Sequence, residues 1–424
     1  MISRIQTQNY RSLRSIDQRL RSFQALVGPN GSGKSTFLDV INYLSDLMSF
    51  RGDVEEASRK RSANFADLTW NREGTSFQFA IESPIPEKLH EQLSDDCKAY
   101  DRVRYEIEVG LEAGTGPVGV QGELLWFVSP EKKVQGLTQG EIVFPSAVQS
   151  SSSLLTPESS RKGRKPIIIK KADGNDVYYF EKEKTRSFVF PVGKSRSALA
   201  NLPGAGENFP VSSWFREMLL DGVQSFVLNS EKIRKPSPPN QAHQYSTDGG
   251  NLPWAVENLR ISTPVSFARW LSHIKTAIAD IADIRTIERA EDKHRYLMIK
   301  YDTGIEVPSW MVSDGTLRLL ALTLPAYLPE QDGLLLIEEP ENGVHPKAME
   351  PVFQSLSSIY GAQTLMATHS PIALSLLNPR DILCFAKSAS GATDTTTGDC
   401  HPALLDWKRG TLDLGLVFAA GILG

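Results

Sequence analysis

Residues 28–36 read GPNGSGKST, and no other stretch of the 424-residue chain restricts its fold as much. Gly28, Gly33, Lys34 and Ser35 fit G-x-x-x-x-G-K-[ST], the pattern of a loop that wraps phosphate. Glycines let such a backbone curl until successive N–H groups point inward at anionic oxygens. The pattern therefore predicts phosphate contacts from Asn30, Gly31, Ser32, Gly33, Lys34, Ser35 and Thr36. Lys34 would reach the β- and γ-phosphates of ATP, and the Ser35 hydroxyl would ligate Mg2+. The flanks agree. FQALVG (23–28) reads as a short strand, and STFLDVINYLSDL (35–47) places apolar residues at 37, 38, 41 and 44, a helical period. A chance match in a glycine-rich turn would not come with a strand before it and a helix after it. The helix N-terminus would face the triphosphate, and the class this implies is α/β.

Far along the chain, LLLIEEPENGVHP (334–346) runs four apolar residues into Glu338, Glu339 and Glu341. Carboxylates at the end of a buried strand repel one another and are expensive to desolvate. A magnesium-bound triphosphate beside them removes the difficulty. GLLLIEE then reads as a second buried parallel strand, with Glu338 supporting the metal and Glu339 placed to polarise the attacking water. Without the phosphate loop, the same stretch would read as a strand ending in a solvated acidic turn.

Composition limits the remaining choices. With 40% hydrophobic and 23% charged residues the chain is of ordinary globular type, sufficient for one large domain or two smaller ones. Net charge is −4 and the pI about 6.1, so a nucleic-acid reading must rest on local basic stretches. Cys97, Cys384 and Cys400 lack paired metal-ligand spacing and suit a reducing cytosol. No run of some 18 apolar residues and no apolar leader is visible, which predicts a cytoplasmic protein without a membrane partner.

Two further segments narrow the subclass. SDGTLRLLAL (313–322) lies ahead of the acidic strand, and TLMATHSP (364–371) beyond it. In this order the chain resembles the ABC-type ATPases. It is most similar to their non-transporter branch: the RecF-type and SMC-type DNA ATPases and the ATPase half of overcoming-lysogenization-defect (OLD) nucleases. EEPENGVHP and ATHSP resemble the OLD-like group, AAA-type proteins of bacterial anti-phage defence. The motifs cover residues 1–50 and 305–385, with weak likenesses such as DGGNLPWAVENL (248–259) between.

The resemblance implies an ABC-type head, a mixed sheet around the P-loop helix plus an antiparallel sheet, with an inserted helical lid. It implies that Ser313 and Gly315 form a signature meeting the γ-phosphate of ATP held by a second protomer, that PENGVHP lines the dimer seam, and that His369 touches the γ-phosphate. SDGTLRLL is also an ordinary capped helix start, a histidine after a strand is often structural, and His345 reads as a turn residue. The signature lacks its usual second glycine, having Asp314 before Gly315, and Glu338 is longer than the customary aspartate. A Q-loop residue would fall in ADLTWNREGTSFQFAIE (66–82), with Asn71 the candidate. Tyr10 and Arg11 resemble the strand end near the nucleotide, although a core role suits Tyr10 equally.

The expected organisation is an N-terminal ATPase part (1–84), an antiparallel β extension (85–200), a helical insertion (201–300), a C-terminal ATPase part (301–390) and a tail (391–424). RVRYEIEVGLE, GELLWFVS and DVYYFEK read as strands. SSWFREMLLDGVQSF (212–226) and SFARWLSHIKTAIADIADI (266–284) read as amphipathic helices. SSSSLLTPESSRKGRK (150–165) reads as a mobile loop whose basic end is either a phosphate-backbone contact or a solvated charge run. EKIRKPSPPN (231–240) reads as a connector, and DILCFAK (381–387) as a closing strand. Neither a long heptad run, as in an SMC arm, nor acidic nuclease motifs after His369 are visible.

The function implied is an ATP-hydrolysing switch. Two protomers would sandwich ATP, with higher assembly open, and control a separately encoded nuclease or toxin, nucleic acid being a further possible partner. Alternatives are a RecF-like DNA-repair clamp, a non-hydrolysing ATP-bound scaffold and, fitting worst, a transporter ATPase subunit.

Overall fold

In a computed structural model, strand Phe23–Val27 lies inside a six-stranded sheet, buried on both its faces. The structure describes residues 1–129, 143–146, 153–157, 159–160, 162–170, 176–184, 186–204, 207–241, 245–329, 332–405 and 413–423. The sheet runs Val223–Phe226, Gly333–Glu338, Ala362–Ala367, Phe23–Val27, Ile382–Lys387 and Thr393–Thr397. The first five strands are parallel and the last antiparallel. Alternate residues feed separate cores. Leu26, Leu334, Leu336 and Leu365 face the P-loop helix Lys34–Ser49, whereas Ala25, Val27, Leu335, Ile337 and Met366 face a second helical layer. Burial on both faces is the rule for parallel sheets.

The other side of the P-loop helix packs on an eight-stranded antiparallel sheet. Its order is Leu13–Arg19, Arg4–Tyr10, Ser76–Pro84, Arg102–Leu111, Val118–Val128, Arg164–Lys170, Asp176–Tyr179 and Ser187–Val189. Tyr10, Tyr43, Phe77 and Phe79 meet edge-on between sheet and helix, with Tyr10 ring centroids 5.0 Å from Phe77 and 4.9 Å from Phe79. This is the mixed α/β head expected from the motifs, and the inner strands of the 85–200 segment read from sequence are present.

Helices Leu252–Ser262, Pro264–Ala277, Asp314–Thr323 and Met349–Ser357 cover the far face of the six-stranded sheet. Two helical readings end sooner than expected. The helix from Pro210 stops at Leu220; after Asp221-Gly222 the chain extends as Val223–Phe226 and pairs with the acidic strand, Val223 opposite Leu334. The helix from Pro264 stops at Ala277, and Ile281–Glu288 begins a three-stranded sheet with Arg295–Tyr301 and Glu306–Pro308. In both cases the apolar spacing served a strand pairing formed at long range, which local periodicity does not record. DILCFAK does not close the sheet either, since Thr393–Thr397 adds beyond it.

Residues 150–152, 158 and 161 of the Ser-rich loop and 172–175 of the following turn lie outside the described residues. The described part is docked. Thr156 donates its N–H and its hydroxyl to Glu106, both at 2.7 Å, and the Leu154 N–H reaches Gln78. One buried carboxylate serves a helix end: Glu181 accepts from the N–H groups of Val211 (2.7 Å) and Ser212 (3.0 Å) and from the Ser212 hydroxyl, and burial pushes its pKa up to about 7.

Candidate nucleotide site

At the C-terminal edge of the parallel strands the P-loop turns back on itself. Gly28 adopts φ 149°, and a Cβ there would lie 2.2 Å from the Phe385 carbonyl oxygen on the neighbouring strand. Gly33 adopts φ 107° at the start of the helix. Both conformations are strained for any residue with a side chain. The P-loop helix has no side-chain cap and no acidic residue in its first turn, so its leading N–H groups are left for an anion.

Lys34 is buried, its ammonium donating to the carbonyls of Gly28 (2.8 Å) and Pro29 (2.9 Å). Burial lowers its pKa to about 8 against the opposing pull of Glu339, Glu338 and Glu341. The ammonium is thus held in the loop by carbonyls alone, at the mouth of an acidic cluster. Ser35 Oγ donates to Glu338 Oε2 across 303 residues of sequence. The strand carrying Glu338 is not adjacent to the P-loop strand; Ala362–Ala367 lies between them.

Just past the strand, Glu339 takes φ 47°, an unusual value for a non-glycine residue. Its N–H donates to the Ala367 carbonyl at 2.8 Å, and the Asn342 amide donates to its Oε2 at 2.5 Å. Its other oxygen lies 3.9 Å from His369 Nε2. Burial and the nearby Lys34 lower the His369 pKa, with Glu339 and Glu341 acting the other way. Glu341 does not face the cavity. Its Oε1 accepts from Thr368 Oγ1 (3.0 Å) and from the His369 N–H (2.5 Å).

These groups surround a cavity of about 480 Å3, within the range for small-molecule sites. Asn30, Gly31, Gly33, Lys34, Ser35, Thr36, Glu338, Glu339 and His369 line it, and the fully buried Ser32 sits behind the loop. Asn71 also lines it, at φ 52°. Arg11, Ser12, Asp67, Thr69, Arg72 and Ala367 also line it; Arg11 was singled out by the motifs, and Asp67, Thr69 and Arg72 fall in the 66–82 stretch expected to hold a Q-loop residue. The positive φ of the consecutive Asn71 and Arg72 marks a turn that no sequence pattern announced. Tyr10 is wholly buried instead, its hydroxyl donating to Asp39 at 2.6 Å, while Arg11 reaches the same carboxylate at 3.1 Å.

Ser313 and Gly315 are not in this cavity. Ser313 caps helix Asp314–Thr323, its Oγ accepting from the Thr316 N–H at 3.2 Å, and Asp314 pairs with Arg234. Gly315 presses against the 341–345 turn, where a Cβ would lie 2.9 Å from the Gly343 carbonyl oxygen. His345 is a local turn residue, Nδ1 accepting from the Lys347 N–H at 3.2 Å.

Among the described residues no three His, Cys, Asp or Glu side chains converge as a metal cluster. The Ser35 hydroxyl and the Glu338 carboxylate are a two-oxygen set, suited to Mg2+, which keeps its remaining positions for water and phosphate oxygens. None of the cysteines is exposed, and burial pushes Cys384 up to about 12.

Fold and site together define a P-loop protein with an ABC-type ATPase head fold. Residues 23–375, most of the chain, match the sequence model of the family described as "AAA domain, putative AbiEii toxin, Type IV TA system". The chain belongs to that family. Phosphate import ATP-binding protein PstB of Mycobacterium intracellulare is 33% identical over 110 residues, 25% of this chain and 38% of that protein. The chain thus spans well under half the length of that relative. The SmcHead bound to the C-winged helix domain of ScpA superposes with a TM-score of 0.50 at 12% identity, covering 93% of this chain and 97% of that one. The SMC head domain from Thermotoga maritima gives 0.43, also at 12% identity, over 93% and 98%. Likeness at such identity describes the fold alone. Among the described residues no helix is long and apolar enough to cross a membrane.

Proposed function

We propose that this protein binds ATP with Mg2+, dimerises around it and hydrolyses it, acting as a switch. The observation that carries the reading is the meeting of the P-loop and the acidic strand at Ser35 and Glu338. Ser35 and Glu338 would hold Mg2+, which when bound neutralises phosphate charge. Lys34 and the N–H groups of the P-loop helix bind and orient the triphosphate. Glu339 accepts a proton from the attacking water, positioned by Asn342, and His369 donates a hydrogen bond to the γ-phosphate.

The second half of each site would come from a twin chain. Ser313 and Gly315 do not line the chain's own cavity, so a γ-phosphate contact from them would come in trans. Such contacts exist only in the closed dimer, and ATP would favour that state by its differential affinity. The test is complementation. Lys34→Met and Gly315→Val chains should each be inactive alone. Mixed, they form heterodimers with one intact composite site and should recover about a quarter of wild-type turnover. No recovery in heterodimers verified by mass would refute sharing.

The switch would serve prokaryotic anti-phage defence through a separately encoded nuclease or toxin. The resemblance to OLD-like proteins supports this reading, and the family description adds a link to type IV toxin–antitoxin systems. Affinity purification from cells carrying the neighbouring genes should retain such an effector; its absence would count against the assignment.

A non-hydrolysing scaffold is favoured by two observations, the long Glu338 in place of an aspartate and Asp314 tied to Arg234 within the signature segment. Steady-state phosphate release from the purified dimer separates the two readings.

A further inference from the structure

On the eight-stranded sheet, the face turned away from the P-loop helix carries a second polar cavity of about 360 Å3. It shares no lining residue with the nucleotide cavity. Arg4, Arg102, Arg104, Lys162 and Arg164 line it, against a single carboxylate, Glu82. Strand register explains the gathering. Arg4 and Arg104 each stand opposite Glu82, and Arg102 and Arg164 each stand opposite Val128. Period-two alternation then turns all of them to one face.

The cations are of two kinds. Arg104 is almost fully buried and fixed, donating to Glu82 at 2.7 Å, Gln6 at 2.6 Å and Glu106 at 2.5 Å. Arg4 is forked onto Asp17. Arg164 donates to Thr156 and lies 3.9 Å from Glu106. Guanidinium groups fixed by carboxylates are pre-oriented for an anion in the cavity. Arg102 and Lys162 differ. Arg102 has a distant contact with Asp101, at 3.9 Å, and its buried Nε–H has no partner. Lys162 is exposed and makes no ion pair among the described residues. The Arg102 side chain is about one-third exposed, and with Lys162 it offers a dianion in the cavity donors that the protein does not use. The four carboxylates touching these five cations still leave one positive charge over.

We propose that this cavity is a second anion site, one that takes the phosphate of a small ligand such as a sugar phosphate or mononucleotide. Its volume sits at the low end for small-molecule pockets, about 300–1,000 Å3, and a duplex groove would need an open surface instead.

The test uses the full chain with its P-loop filled by ADP and Mg2+, titrated calorimetrically with ribose 5-phosphate. Saturable binding of one equivalent is expected. Arg102→Ala combined with Lys162→Ala should weaken it at least tenfold, Arg102→Lys should recover part of it, and ADP affinity should stay within twofold, showing that the variants fold. Three outcomes overturn the site: no saturable binding at millimolar ligand, equal binding by the double variant, or binding of single-stranded oligonucleotide that ribose 5-phosphate does not displace. The last would make this face a nucleic-acid track.

Discussion

Two helix N-termini in this protein begin with similar sequence, SGKST at residues 32–36 and SDGT at 313–316, and end up in opposite states. The P-loop helix starts uncapped, with Gly33 left-handed and its N–H groups open to a cavity. The helix from Asp314 is satisfied within the chain: Ser313 caps it, Arg234 neutralises Asp314, and the Gly343 carbonyl crowds Gly315. A third, from Pro210, is filled by the Glu181 carboxylate. The comparison teaches that a helix start becomes an anion site through what is withheld from it, namely a cap, an acidic first turn and a carboxylate bonded to its leading N–H groups. The partial positive charge is common to all three.

The sharpest way to break the comparison is at the open end. Glu339→Gln should lower ATP turnover by about 10²–10⁴ while ATP affinity is kept and the dimer accumulates; single-turnover assays with light scattering check both. Lys34→Met comes next. Charge-assisted hydrogen bonds contribute about 1.5–3 kcal/mol, so ATP affinity should fall by about 10- to 100-fold, read by fluorescent-nucleotide titration, with the melting temperature little changed.

The filled end gives a pH signature. The folded Glu181 pKa is raised to about 7 from an ordinary 4.5. Its contribution to stability is therefore fully present below pH 4.5 and lost as pH rises through about 7. Urea unfolding should show a term of about 2 kcal/mol between pH 5 and pH 7 that vanishes in Glu181→Gln. The capped end carries the smallest effect on stability: Ser313→Ala should cost about 1 kcal/mol and also lower turnover in the dimer, and unchanged turnover would count against its proposed contact with a partner's nucleotide.

Much of the site was legible because its chemistry is local. GPNGSGKST specifies a loop and a helix within nine residues, and a buried strand ending in carboxylates needs a cation. In the structure the two segments meet at Ser35 and Glu338. What was not legible depends on register and distance. Nothing in PENGVHP says that Glu341 would turn from the cavity to hold Thr368 and His369. Asp67, Thr69 and Arg72 enter the wall through a left-handed turn of non-glycine residues. Likewise, Ile281 and Ile284 fit a helical stripe, and only pairing with Arg295–Tyr301 makes them a strand.

Glu341 has a mechanical consequence. One carboxylate opens the turn that crowds Gly315 and also grips the amide of His369. The rim where a twin subunit would press and the imidazole beside the nucleotide are therefore separated by a single side chain. A push on that rim would reach the backbone of the imidazole through this one carboxylate.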